Sequence, residues 1–593
     1  MISTSGFEGI FNTTTMAKRS HFHFLRVRTT SCSHHMPTNA TTDDDHNVTA
    51  TPKGRNVVLC CDGTGIGEEH SFGELNTPSN IVRIYNCLDL ETSDSERLQI
   101  AHYERGVGSV GSTFTKAREG LTGSGIDLKI SLLYYWLGWQ WQEYEDDQEE
   151  DRLFLFGFSR GAFAIRSLVG LIYRCGLLNL HGLDANEQGR RVQRAYKLGY
   201  QKLIPKERWA FDTKTGKPWK FHGDKDGRIP IHFVGAFDTV GQLGLPRETF
   251  FLWLCGALCC YTPRMAAFHD VVYNPMIRTA RHAVAMDEMR STFQPVFARN
   301  KEYQKDFKGQ DLKQVWFPGG HANVGGGVSE TGLSDGALQW MIDAASKCGL
   351  RFQPNMVAQI KPNFQGNIFY KHSLSIYKSM TFYPRSVPPV IMENCEDNTN
   401  DIESVHISAI QRSENPRISQ APYFKTKFLQ VGQEHKVVLQ ADKVYNSTFV
   451  YMEPGGTYSF HAEGMWMGLR HRLCTADGYS KRDLIHHPFV PLKVLWGKLE
   501  LGCRRCTGNQ EGRLPFTRRH ERFPWFAIVG MIASGGMRNA LAEAEFHAVF
   551  CIGKEAEYQV GKEGGYLYCY ANDSWSHYHK NRGFMTLTIR RVK

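Results

Sequence analysis

The chain lacks any run of about 18 consecutive apolar residues, which excludes a helix able to cross a bilayer. It also lacks a secretory apolar core with a small-residue cleavage site near its start, and its 15 cysteines have no regular spacing. A reducing compartment, free thiols and a cytoplasmic location follow as expectations. Cys503-Arg504-Arg505-Cys506 has no second pair beside it, so it reads as a surface turn rather than a zinc site. There is no internal repeat. The formal charge of +10 comes without a zinc-finger, homeodomain or RNA-recognition signature, which argues against nucleic acid as a partner. Over half of that excess lies in residues 181–228, where twelve Lys or Arg face six Asp or Glu. This is the pattern of a basic face near a pocket.

What is present is a globular composition, 41% hydrophobic and 22% charged, in a chain of 593 residues that is too long for one ordinary core. Residues 1–54, rich in Ser, Thr, His and Asn, read as a flexible leader with a poor amphipathic pattern for a targeting helix. From Arg55 short apolar runs are each followed by a glycine-rich turn and then a helical period: "NVVLCCDGTG", "RLFLFGFSRG", "IPIHFVGAFDTVG" and "LKQVWFPGGHANVGGG". Such alternation predicts an α/β domain over 55–350, a mainly parallel sheet covered by helices on both faces, with insertions at 176–228 and 244–276. Ligands of such sheets gather at the carboxyl ends of the strands, where Asp62 to Thr64, Ser159, Asp238 and His321 fall. Residues 351–435 read as a connecting or cap region, with "NCEDNTNDIESV" from Asn394 as an exposed link. From Lys436 to Lys593 alternating strands between Gly, Asn and Asp turns predict an all-β sandwich.

Gly157-Phe158-Ser159-Arg160-Gly161 sits between a buried apolar run and a helical one, the context of a strained nucleophile elbow. Serine needs a base to take its proton and a third group to hold that base. Asp238 and His321 follow in chain order, each at the end of an apolar run, and complete a Ser-Asp-His candidate. Each residue alone reads as readily as a turn cap or loop filler; their shared edge and order favour catalysis. His282, placed in the helical "RTARHAVAMDEMR", is the second candidate base, and Asp335 reads as part of a helix N-terminus. For the oxyanion, the amide of Arg160 is one candidate donor and the turn at Gly63 or Thr64 the other. A phosphate-binding loop is disfavoured at that turn because no Gly-Lys-Ser/Thr ending follows.

With "ERGVGS", "RHAVAMDEMRSTFQPVF" and "LSDGALQWM" added to these blocks, the region from about Arg55 to Leu350 resembles the type VI secretion lipase effector-like α/β hydrolases, bacterial phospholipases with fungal relatives. The resemblance implies a Ser-Asp-His lipase on phospholipid acyl esters, with Ser159, Asp238 and His321 in the matching places. Asn323 departs from the Asp often found two residues after the histidine. A soluble carboxylesterase or thioesterase, or a non-catalytic binding scaffold, remains the alternative. The implied partners are a lipid or other ester and, peripherally, a membrane, and no cofactor is required. "FFLWLCGALCCY" from Phe250 reads as a lid or docking element or equally as a buried helix.

"KVVLQADKVYNSTFVYMEPGGTYSFHAEGMW" and "GYLYCYANDSWSHYHKNRGFMTLTI" resemble the LecA-type galactose-binding lectins. In those lectins oxygen ligands around an Asn-Asp turn hold calcium. Asn572-Asp573 keeps the turn, and Asp573 and Asn581 are the calcium candidates, but His577 and Lys580 stand where the resemblance calls for Thr and Asn. A lysine ammonium repels a divalent ion. A structural or docking role is therefore expected rather than calcium-dependent carbohydrate binding.

Overall fold

A computed structural model of the protein describes residues 54–63, 77–91, 97–106, 125–144, 149–224, 226–241, 269–297, 309–368, 382–468, 472–479, 490–507, 517–535 and 546–593. Residues 1–53 of the leader and the apolar segment 250–261 lie outside the described residues, as does Thr64. Among the described residues no helix is long and apolar enough to cross a membrane.

The apolar runs become a seven-stranded sheet of β1 (Asn56–Cys61), β2 (Gln99–Glu104), β3 (Arg152–Phe158), β4 (Ile231–Phe237), β5 (Ile277–Ala285), β6 (Asp311–Phe317) and β7 (Glu403–Val405). Their order is β2-β1-β3-β4-β5-β6-β7, and all neighbours are parallel. Successive side chains alternate faces, so β1 and β3 feed two cores. Val57, Leu59, Leu153 and Leu155 pack with helices α2 (Ile126–Gln140) and α3 (Arg160–Cys175). Val58, Cys60, Phe154 and Phe156 pack on the other face with α1 (Asn80–Cys87) and a later helix spanning Gly332–Lys347. From β1 the chain goes outward to β2 and returns on the other side as β3, which puts the reversal of strand order between β1 and β3. Ligand crevices of open α/β sheets open at that point.

Residues 177–224 add a two-strand hairpin, helix α4 (Ala185–Arg194) and a π-helical turn, Ala195–Gln201. Tyr200, Trp209 and Trp219 bury into the α2–α3 core, while Arg191 and Arg194 lie over the outer ring of Trp219. The basic excess thus rides on an apolar underside. Two further helices are α5 (His321–Gly325) and α6, the Gly332–Lys347 helix introduced above.

Three expectations need correction. "RTARHAVA" is strand β5, not helix: its Ala and Arg favour helix weakly, but it is paired on both sides by β4 and β6, and tertiary pairing overrides propensity. The connecting region contributes the edge strand β7, too short to show a period. Cys503 to Cys506 lie on helix α7 (Val490–Thr507), not on a turn.

The carboxy-terminal part is a sandwich of antiparallel sheets. Its strands are β8 (Glu434–Gln440), β9 (Asn446–Met452), β10 (Thr457–Gly468), β11 (Arg472–Cys474), β12 (Ile528–Ile532), β13 (Ala548–Cys551), β14 (Glu555–Gln559), β15 (Gly565–Ala571) and β16 (Arg582–Arg591). One sheet runs β8-β16-β10-β11 with β14 also on β10; the other runs β9-β15-β12-β13. Strand β8 alternates exposed residues with half-buried ones and the buried Leu439, and much of β10 alternates buried with accessible residues, so their sheet has one wet face. Strands β12 and β15 are buried almost throughout, so the four-stranded sheet is covered on both faces. What covers it is the connector: Tyr566 clusters with Val387 and Val390 and with Val284, Met286 and Trp316 of the α/β domain.

Candidate active site

Strand β3 ends at Phe158 and helix α3 begins at Arg160, leaving Ser159 to make the turn at φ 58° and ψ −123°. A serine in this region is strained and persists only where packing imposes it. The imposition is visible at the flanking glycines. A Cβ on Gly157 would stand 2.6 Å from Ala162 Cα, and one on Gly161 would stand 2.2 Å from the Cys61 carbonyl oxygen at the end of β1. Helix α3 therefore lies directly on the neighbouring strand, and only glycine fits. The Ser159 amide donates to the Phe237 carbonyl at 3.0 Å, which ties the elbow to the end of β4. Arg160 is the first residue of α3, so its amide lies at the positive end of the helix dipole.

Asp238, the next residue after β4, is fully buried and also left-handed, at φ 38°. Its Oδ2 meets His321 Nδ1 at 2.5 Å. The histidine opens α5 after β6 and is wedged between Phe158 and Phe293, with ring centroids 4.7 and 4.9 Å away. Upstream of it, Gly319 donates to Asp287 Oδ2 at 2.7 Å, and the same oxygen accepts from the Tyr423 hydroxyl at 2.8 Å. The elbow, the carboxylate and the imidazole thus stand at the carboxyl ends of β3, β4 and β6.

Sequence reasoning missed Arg385. Its guanidinium grips both oxygens of Asp238, at 2.6 and 3.0 Å, and donates to the carbonyls of Ala285 at 2.7 Å and Phe293 at 2.5 Å. Burial pushes the Asp238 carboxyl up, but the Arg385 charge and the bond from His321 outweigh it and hold the carboxyl far below the usual range. An arginine 147 residues downstream in an irregular segment carries no periodic or motif signal, and no pattern in the chain could have found it.

At the end of β1, Asp62 is buried and accepts from Ser79 Oγ at 2.5 Å, from the Tyr103 hydroxyl at 2.8 Å and from the Gly63 amide at 2.7 Å. Burial raises its carboxyl pKa. The Gly63 amide, a candidate oxyanion donor, is therefore directed at Asp62. His282 is far from a catalytic imidazole in kind: its Nε2 accepts the Thr239 amide at 3.1 Å and its Nδ1 lies 3.3 Å from Gln314 Oε1. Burial pushes its pKa down to about 3, so it is neutral and braces the residue after Asp238. Asp335 lies in the first turn of α6 and pairs with Arg83 at 2.6 Å. Asn323 accepts the Gly320 amide at 3.1 Å and so caps its own helix.

In the sandwich, the Asn572 side chain accepts the His520 amide at 3.0 Å and donates to the carbonyls of His520, Phe523 and Pro524. Asn581 donates to the Ala441 carbonyl at 3.2 Å, and Asp573 accepts the Ser574 amide at 2.7 Å. His577 is hydrogen-bonded to Ser574 Oγ. Beside the turn stands the buried Arg519, 3.5 Å from the Tyr570 ring centroid and 4.0 Å from that of Trp575. Asn572 is thus bound at both ends to its own chain. Among the described residues no cluster of three or more His, Cys, Asp or Glu could hold a metal.

The chain is similar to several known proteins. The uncharacterized protein YEL023C of Saccharomyces cerevisiae (strain ATCC 204508 / S288c) is 25% identical over 426 residues, a match covering 51% of this chain and 58% of the relative. An uncharacterized protein from Pseudomonas aeruginosa matches in structure at 18% identity and a TM-score of 0.33, covering 53% of this chain and 49% of that one. The Tle1 effector bound to the VgrG spike of the type 6 secretion system matches at 16% identity and a TM-score of 0.28, covering 49% of this chain and 56% of that one. The chain spans between about half and three fifths of the length of these relatives. Residues 55–344 match the family described as T6SS, phospholipase effector Tle1-like, catalytic domain. Over that stretch, which holds the elbow, the carboxylate and the imidazole, the chain is similar to the catalytic domain of the Tle1-like phospholipase effectors.

Proposed function

We propose that the chain is a serine hydrolase of lipid acyl esters, phospholipids foremost, working through Ser159, His321 and Asp238. The carrying observation is the strained Ser159 elbow set at the same sheet edge as the His321–Asp238 pair. Ser159 Oγ attacks the ester carbonyl carbon while its proton passes to His321 Nε2, and the Nδ1 proton stays on the bond to Asp238. The charged carbonyl oxygen is held by the Arg160 amide, aided by the helix dipole. The second donor comes from the β1 turn, either Thr64 or Gly63 once its amide leaves Asp62. His321 then protonates the departing alcohol oxygen, leaving an acyl-serine. Water, deprotonated by His321, releases the fatty acid and restores the serine.

The test is hydrolysis of phospholipid liposomes and of a soluble short-chain ester by the full chain. Ser159→Ala and His321→Ala should each lower turnover by about 10⁴ or more with melting unchanged, because triad members act as a unit. A Ser159→Ala chain that kept most of its turnover would refute the assignment. Turnover on the soluble ester but not on liposomes would move the substrate from lipids to small esters.

A further inference from the structure

We propose that Arg385 is a positioning residue for Asp238 and His321, and that the carboxy-terminal sandwich, by anchoring the strap that carries it, is a working part of the active site rather than a separate binding module. This rests on the triad reading above.

The Asp238 carboxylate has about four acceptor directions, and four donors meet it. Ala285 N–H and Arg385 Nη1 reach Oδ1 at 3.0 and 2.6 Å, while Arg385 Nη2 and His321 Nδ1 reach Oδ2 at 3.0 and 2.5 Å. Without the fork, two of the four are lost and the carboxylate can turn. The same guanidinium holds the Phe293 carbonyl, and the ring of Phe293 packs edge-on against His321. One arginine thus sets the acid and one wall of the base. It also sets the charge. Facing His321 are Asp238, Glu288, which accepts the His321 backbone amide at 3.3 Å, and Arg385; Arg290 neutralises Glu288 at 2.7 Å and lies over Phe293. Asp287 stands behind Gly319, bonded to Tyr423. Removing the Arg385 charge leaves Asp238 uncompensated, which favours the imidazolium.

Arg385 itself is held from the sandwich. The strap is "FYPRSVPPVI", Phe382 to Ile391, where prolines 384, 388 and 389 fix the backbone dihedrals on both sides of the arginine. At one end the Tyr383 backbone amide donates to the Met289 carbonyl at 2.7 Å, and the Tyr445 hydroxyl donates to the Phe382 carbonyl at 2.7 Å. At the other end the Val390 amide donates to the Tyr566 hydroxyl at 2.9 Å. Tyr445 and Tyr566 both belong to the four-stranded sheet side of the sandwich, the side whose outer face the connector buries.

The experiment uses the full chain carrying ¹³C-labelled histidine, with the His321 signal assigned by its loss in His321→Gln. Its titration and the pH dependence of kcat/KM on a soluble ester are compared in wild type, Arg385→Gln, Arg385→Lys and the double variant Tyr445→Phe/Tyr566→Phe. In Arg385→Gln the His321 titration and the acid limb should move up by about one pH unit, with kcat down at least tenfold. Arg385→Lys keeps the charge but not the fork, so it should restore the titration while kcat stays low. The double tyrosine variant should lower kcat without moving the titration and with its melting temperature within a few degrees of wild type. An unmoved His321 titration in Arg385→Gln, or wild-type kcat in Arg385→Lys, overturns the role of Arg385; wild-type kcat in the tyrosine variant overturns the role of the sandwich. Absence of Ser159-dependent turnover in wild type would instead refute the triad, and the titration would still report on Arg385.

Discussion

Ser159 and Asp238 are two of the six described non-glycine residues with positive φ, and each is held there by a neighbour rather than by its own preference. For Ser159 the neighbour is a glycine. Adding one methyl group at Gly161 forces it into the Cys61 carbonyl at 2.2 Å, against backbone that cannot step aside. Gly161→Ala is therefore expected to destabilise the fold by about 2 kcal/mol or more and to remove activity even where the chain still folds. Urea denaturation and ester hydrolysis check the two halves separately; a stable, active Gly161→Ala would mean that the elbow is not as tight as described. The triad candidates were legible because their signals are local: a glycine-flanked serine after an apolar run, then an Asp and a His at the ends of later runs. Arg385 was not, because its meaning exists only once the chain folds back onto Asp238.

At the scale of elements, strand β5 was misread because its pattern of Ala, Arg and His is helical in composition, whereas its pairing with β4 and β6 fixes it as strand. The burial of this strand has a measurable consequence. His282 lies on it, fully buried, with a pKa pushed down by burial from the ordinary 6.5 to about 3. Between those values the unfolded chain binds a proton that the native state refuses, so this contribution to stability is lost as pH falls below 6.5. His282→Asn removes that linkage. Between pH 7 and pH 5 the variant should lose about 2 kcal/mol less stability than wild type, at about 1.4 kcal/mol per pH unit. Parallel urea curves at the two pH values measure this, and equal losses would show that His282 titrates normally. The same scale explains the sandwich. Alternation in β8 and β10 was legible because one face meets water; the double burial of β12 and β15 was not, because the covering connector shows no period of its own.

At the scale of the whole molecule, the division into an α/β part and a β part was readable from the change in texture near Lys436, yet the two parts share a cluster in which Tyr566 meets Val284 and Trp316. Tyr423, Arg385 and β7, all from the connector, complete the α/β side. The connector thus contributes directly to the α/β side. The most direct measurement of the central claim is labelling of the native full-length protein by a fluorophosphonate, followed by peptide mapping. A single adduct on Ser159, lost when the chain is first unfolded and strongly slowed in His321→Ala, is the outcome predicted. A native chain that takes no adduct, or one modified elsewhere while Ser159 stays free, would contradict it.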